Sequence, residues 1–268
     1  MDSVHELAAL LNDSCPGTVV AVTGAGVSAA SGLPTFRGSD PDAIWNREIT
    51  TIATRSYFRH DPVAWWRWFI KTFDGILDVN PNAAHIALAR LESWVVNRGG
   101  RILLITQNVD LLHERAGSKE LVKVHGTADR FRCSRDGCEL ASPRGSIPFD
   151  DVDFGPFLAE PRRETIPKCS ECGDLVRPHA LLFDEYYGEH VDYEFSRVEE
   201  TFAEMALVLF VGTSFSVGIT EMALRAAALR GIPTWSIDPN GRDDAGIHVV
   251  RGAAETALPD LVDRLEAS

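Results

Sequence analysis

At 268 residues the chain exceeds the usual single-domain size, so one large domain carrying an inserted smaller module is the natural expectation. Hydrophobic residues make up 45% and charged residues 24%, which suits a globular enzyme and excludes a disordered chain. The formal net charge of -13 argues against direct binding to nucleic acid, whose phosphates need clustered Lys and Arg.

Residues 1–11 lack a basic start followed by an apolar run, so no secretory signal is expected. No stretch reaches the roughly 20 apolar residues of a membrane span. A cytoplasmic protein without membrane partners is the resulting expectation. The first apolar run, 19–22, shows no polar alternation, as expected of a strand covered on both faces by helices. It leads straight into Gly24-Ala25-Gly26-Val27-Ser28, where glycine lets the backbone turn sharply and approach a ligand. A helix starting near Val27 would aim free N–H groups at phosphate. The third glycine of the usual dinucleotide loop is missing, so a tight strand-to-helix turn without a ligand remains open at this point.

Residues 39–80 are rich in aromatics, among them Trp45, Phe58, Trp65, Trp66, Trp68 and Phe69. Residues 82–97 have the pattern of a helix, and 102–105 form a second buried strand. That strand ends in Thr106-Gln107-Asn108-Val109-Asp110. Ligands on open α/β sheets bind at carboxyl ends of strands, although Asn and Asp here also suit a helix cap. His125 follows in Val122-Lys123-Val124-His125-Gly126, and His is the side chain best suited to move a proton near neutral pH.

Cys133-x4-Cys138 and Cys169-x2-Cys172 form a four-thiolate zinc pattern; with four sulfurs closing the shell, the metal is expected to be structural. Further buried strands are expected at 208–211 and 234–237, with a helix at 219–230 between them. The repetition indicates a Rossmann-like, doubly wound parallel α/β sheet with an inserted zinc module and a helical insertion. The expected division assigns 1–38, 81–129 and 178–268 to the Rossmann-like sheet domain. It gives 39–80 to the helical insertion and 130–177 to the zinc module.

Segment 24–38, which continues through Ser31-Gly32-Leu33-Pro34-Thr35-Phe36-Arg37-Gly38, resembles the glycine motif of the sirtuin family. So do segments 106–113, 122–126, 177–185 and 211–217, in the family's order and together with the cysteine pairs. The resemblance implies NAD-dependent removal of acyl groups, acetyl foremost, from protein lysines, giving nicotinamide and O-acyl-ADP-ribose. It implies that Gly24, Ala25, Gly26, Ser28, Phe36 and Arg37 hold NAD, with Phe36 over the nicotinamide riboside. Gln107 would bond a ribose hydroxyl, Asn108 would orient the ribose or a water, and Asp110 would hold the carboxamide. His125 would take a proton from a ribose hydroxyl so that the oxygen attacks the activated acyl group. Gly212, Thr213 and Ser214 would touch ribose and adenine. Asp238 would hold the adenosine ribose, which favours NAD over NADP.

On the substrate side, Leu181 and Phe183 would line the acyl-lysine tunnel, on a strand that pairs with the peptide backbone. Asp184 stands where the family usually has Gly. It would either select basic residues beside the target lysine or narrow the substrate range. Leu111 also replaces a usual Gly. The Tyr-x-x-Arg pair of desuccinylating sirtuins is absent from Phe69-Ile70-Lys71-Thr72, so a neutral acyl group, acetyl or longer, is expected, with Lys71 leaving an acidic one open. Mono-ADP-ribosyl transfer or NAD hydrolysis, and a non-catalytic NAD-sensing module, are the alternatives on the same fold.

Overall fold

The computed structural model describes residues 3–14, 17–35, 49–215, 218–241 and 246–268. Helix α1 (Ser3–Ser14) leads into strand β1 (Thr18–Thr23), a 3-10 helix (Ala25–Ser31), and helices α2 (Ile49–Ile52), α3 (Arg55–His60) and α4 (Pro62–Phe73). Next come α5 (Ala83–Asn97), β2 (Arg101–Thr106), α6 (Leu112–Ala116), β3 (Leu121–Lys123) and β4 (Gly126–Cys133). They are followed by β5 (Ile147–Pro148), α7 (Gly155–Ala159), β6 (Val176–Ala180), α8 (Phe195–Glu204) and β7 (Met205–Val211). The remaining elements are α9 (Gly218–Arg230), β8 (Thr234–Ile237), β9 (His248–Val250) and α10 (Ala254–Glu266).

The four apolar runs become the centre of a parallel sheet with strand order β3-β2-β1-β7-β8-β9. Ranked along the chain, this is the 3-2-1-4-5-6 order of the dinucleotide-binding fold, and the winding reverses between β1 and β7. Thr23 pairs with Thr106 on one side and Val211 on the other. Residues 24, 107 and 212 therefore leave the sheet side by side, at the crevice where such folds bind ligands.

Successive strand residues point to opposite faces. Val19, Ala21, Leu104 and Leu209 pack with Leu7, Leu88, Leu91, Leu258 and Leu261 on the face covered by α1, α5 and α10. Val20, Val22, Leu103 and Phe210 pack with Val198, Phe202, Ile219 and Ala223 of α8 and α9. The expected helices at 82–97 and 219–230 are α5 and α9. Asn82 opens α5, its side chain accepting from the Ala84 N–H.

A second, antiparallel sheet has the order β5-β4-β6. Its core is shared by both insertions: Phe58, Trp65 and Trp66 of α3 and α4 bury against Phe131, Ile147, Phe157 and Val176. The Trp66 indole N–H donates to the Val176 carbonyl at 3.2 Å. Among the described residues no helix is long and apolar enough to cross a membrane.

Candidate functional site

The loop after β1 crosses the loop after β7 with no side chains between them. The Gly24 N–H donates to the Val211 carbonyl at 3.1 Å, and the Gly26 N–H to the Gly212 carbonyl at 2.9 Å. A Cβ on Gly26 would lie 2.7 Å from Gly212 Cα, and one on Gly212 would lie 2.5 Å from Val27 N. Gly212 also has φ +57°, in the left-handed region. Both glycines are thus required by backbone-on-backbone packing, whatever ligand approaches. The segment 25–31 is a 3-10 helix, starting two residues ahead of the helix expected near Val27, and Gly32 closes it at φ 89°.

Ser28, wholly buried, is the hub of the next layer. Its Oγ donates to Asp110 Oδ2 at 2.9 Å and accepts from Asn108 Nδ2 at 3.1 Å. The His85 ring also reaches it, 3.4 Å from Nε2. His85 Nδ1 accepts from the Asn82 N–H, so the ring proton belongs on Nε2, facing the serine. Burial holds the His85 pKa down to about 4, which keeps that ring neutral. Asn108 Nδ2 donates also to the Gly24 carbonyl at 3.2 Å, tying the end of β2 to the glycine loop. Asp110 Oδ1 accepts from the Leu112 N–H at 3.0 Å, so this carboxylate both steadies the start of α6 and joins the hub. Ala25, Ser28, Leu33, Phe73, Asn108 and Asp110 line one cleft.

Gln107 spans three strand ends. Its Nε2 donates to the Thr23 carbonyl (3.1 Å) and Thr213 Oγ1 (3.3 Å). Its own carbonyl receives His125 Nδ1 at 2.7 Å. A carbonyl can only accept, so Nδ1 carries the proton and Nε2 keeps the lone pair. Burial pushes the His125 pKa down to about 4, against the raising effect of that hydrogen bond. Tyr187 stacks on the imidazole, ring centroids 5.8 Å apart and planes within 12°.

Gly212 and the buried Thr213 sit at the β7 end, with the exposed Ser214 just beyond. Asp238 lies half-buried past the β8 end, its Oδ1 taking the Asn240 N–H at 2.7 Å. Phe36 and Arg37 lie outside the described residues.

On the substrate side the extended strand stops at Ala180, and residues 182–185 turn, the Glu185 N–H donating to the Leu182 carbonyl at 3.0 Å. The Leu181 N–H donates to the His125 carbonyl at 2.9 Å, placing it beside the histidine. Phe183 is 50% exposed, with its N–H on the Ala53 carbonyl. The Asp184 carboxylate turns back onto the start of α3. It accepts from the Arg55 N–H (2.6 Å), the Ser56 N–H (3.0 Å) and Ser56 Oγ (2.8 Å). Partial burial raises its pKa, but these donors prevail and hold it below the usual carboxylate value. The charge expected to face the peptide is therefore committed to a helix start.

The four paired cysteines meet in one cluster. Cys133 and Cys172 Sγ are 3.4 Å apart, Cys138 and Cys169 Sγ are 3.7 Å apart, and all four lie within 4.8 Å of one another. A tetrahedral zinc with Zn–S of about 2.3 Å needs S···S edges of about 3.8 Å, so the sulfurs fit a structural zinc ion. Gly137 and Gly173, at φ 79° and 73°, make the turns beside each cysteine pair.

Two contributors escaped the sequence reading: His85, behind Ser28, and Tyr187, on His125. Asn82 and His85 carry a faint signal, an Asn followed three residues later by a polar partner at a helix start. Nothing local marks Tyr187.

The model of the Sir2 family matches residues 24–218. NAD-dependent protein deacetylase 1 of Pyrobaculum aerophilum is 35% identical over 98% of this chain and 95% of its own length. The NAD-dependent protein deacylase of Thermus thermophilus is 36% identical over 82% of this chain and 79% of its own. The mitochondrial NAD-dependent protein deacylase sirtuin-5 of Canis lupus familiaris is 33% identical over 91% of this chain and 80% of its own. Among solved structures, a Sir2 homolog–NAD complex superposes with a TM-score of 0.78 at 31% identity, covering 98% of this chain and 94% of that one. A Sir2–p53 peptide–NAD+ structure gives 0.77 at 25% identity, covering 98% of each. Sequence and fold agree along almost the whole length, and on that agreement the chain belongs to the Sir2 family.

Proposed function

We propose that this chain consumes NAD to remove acyl groups, acetyl foremost, from lysine side chains of proteins, releasing nicotinamide and O-acyl-ADP-ribose. The observation that carries this reading is the state of His125: neutral, its Nδ1–H held by the Gln107 carbonyl, its Nε2 lone pair left to act as a base. The next residue along, Asn108, binds the Ser28–Asp110 hub. The names of the relatives, NAD-dependent deacetylases and deacylases, support the same reaction.

In this reading the acyl oxygen of the substrate lysine displaces nicotinamide from the ribose. His125 then accepts the proton of a ribose hydroxyl, that oxygen attacks the acyl carbon, and water frees the lysine. Asn108 positions the ribose or a water, Asp110 and Ser28 hold the carboxamide end, and Gln107 with Thr213 braces the ribose side. Gly24, Ala25, Gly26, Gly212 and Ser214 bring backbone close to the dinucleotide, Asp238 takes the adenosine ribose, Phe36 covers the reacting carbon and Arg37 helps hold the cofactor. Leu181 and Phe183 contact the acyl-lysine. The zinc supplies structure and no chemistry, since four sulfurs complete its shell. Partners are acyl-lysine proteins and peptides. The charge of -13 speaks against direct nucleic-acid binding, and cysteines paired for a metal rather than for disulfides suit the reducing cytoplasm.

The test is to incubate the protein with NAD and an acetyl-lysine peptide and weigh the products. O-acetyl-ADP-ribose with one equivalent of nicotinamide is expected, and His125→Ala should abolish it. Free ADP-ribose, an ADP-ribosylated protein or no product at all would overturn the assignment.

A further inference from the structure

We propose that His179, His190 and Asp192 form a second metal site. It would take one divalent transition-metal ion that favours imidazole, such as Zn2+, and fasten the segment after β6 to the small sheet. Strand β6 places His179 with no exposed surface, and His190 is 3% exposed. The Asp192 side chain is 45% exposed and opens the cluster to solvent. His179 Nε2 lies 3.3 Å and His190 Nδ1 3.6 Å from the same Asp192 Oδ2. One ligand atom from each of the three residues lies within 4.8 Å of the others. A four-coordinate ion with nitrogen and oxygen ligands at about 2.0–2.1 Å sets them about 3.3 Å apart, close to the two separations found.

The hydrogen bonding around the cluster points the same way. His190 Nε2 lies 3.1 Å from the Gly145 carbonyl, so its proton sits there and Nδ1 keeps a lone pair on the Asp192 side. A backbone carbonyl on the far ring nitrogen is the usual way a ligating histidine is oriented. That lone pair also receives the Asp192 N–H at 3.2 Å, a bond the ion would displace. His179 gives the independent observation. Neither ring nitrogen finds a hydrogen-bond partner among the described residues, although the ring is fully buried. Its approach to Asp192 is close but misaligned for a hydrogen bond. A buried polar atom left so is rare, and a coordinated ion would satisfy it.

The charges facing the cluster are Arg130, Arg132, Arg177, Asp192 and, paired with two of those arginines, Glu185. The Asp192 carboxylate supplies the one negative ligand, and solvent at its open side can fill the remaining position. Oxygen and imidazole donors distinguish this site from the four sulfurs. The same segment carries Tyr187, which packs on His125, so an ion here would brace that contact.

The experiment counts metal. The full-length protein is dialysed against excess Zn2+, freed of loose ions on a desalting column, and measured by plasma mass spectrometry, beside Asp192→Asn and His190→Gln. The wild type should hold one ion more than either variant, two against one. Substitution with Co2+ should show thiolate charge-transfer bands of equal strength in all three proteins, proving that the cysteine site and the fold survive. Equal metal content in wild type and variants, whether one or two ions, would overturn the proposal.

Discussion

Ser28 Oγ sits at the meeting point of three side chains, and deleting it leaves the buried Asp110 Oδ2 without that donor. An unsatisfied buried acceptor costs about 1–3 kcal/mol, more when charged. Ser28→Ala should therefore lower unfolding free energy by about 2 kcal/mol in urea titration. It should also reduce kcat/KM with NAD and acetyl-peptide at least about tenfold, equivalent to about 1.4 kcal/mol. Asp184 gives the contrasting case. With its carboxylate on the Arg55 and Ser56 N–H groups, wild-type turnover of peptides with Arg or Glu beside the acyl-lysine should agree within about twofold. Asp184→Ala should cost about 1 kcal/mol of stability, as loss of a helix-start acceptor does. A strong preference for Arg-flanked peptides that vanishes in Asp184→Ala would instead put this charge at the peptide. At this scale His125, Asn108 and Asp110 were legible because each follows a strand end in a short motif. His85 and Tyr187 were not, because each reaches its partner only after the chain has folded.

Among elements, the buried runs at 19–22, 102–105, 208–211 and 234–237 announced themselves by unbroken apolar character, and each lies inside an observed strand. Strands β3 and β9, at three residues each, are too short to display a period and gave no signal. The crossing of the two glycine loops was half legible: the glycines were visible, but what each closes on proved to be the backbone of the other loop. Gly26→Ala should consequently lower Tm by several degrees with NAD absent, measured by circular dichroism. A ligand-only role would leave the unliganded Tm unchanged. The shared core of the two insertions was hidden for a different reason. Hydrophobic residues separated by some 70 positions carry no mark of which partner they will meet.

For the whole molecule, that shared core makes zinc a stability determinant for helices that never touch it. Trp65 and Trp66 are buried with Cys133 and Cys169 in one cluster. Stripping zinc with a strong chelator at neutral pH should red-shift tryptophan emission and lower Tm, and returning Zn2+ should restore both. The buried histidines set the acid limit. His85 and His125 both have native pKa values of about 4, below the ordinary 6.5, because burial disfavours the charged ring. Above pH 6.5 both native and unfolded chains are neutral at these sites and the contribution is complete. Below it the unfolded state takes up protons that the native state refuses, so stability falls as pH drops from 6.5 towards 4. Equilibrium denaturation at pH 7.5, 6, 5 and 4.5 should show a declining midpoint across that window; a flat profile would contradict neutral burial.

The carbonyl of Gln107 has one more consequence. It is the acceptor for His125 Nδ1–H, so any change of charge on the ring alters the polarisation of that one C=O bond. Isotopic labelling of the Gln107 carbonyl carbon would shift its amide vibration clear of the rest of the backbone. Its infrared frequency then becomes a built-in gauge of the proposed base: if His125 takes a proton during turnover, the band should move and return when the proton leaves.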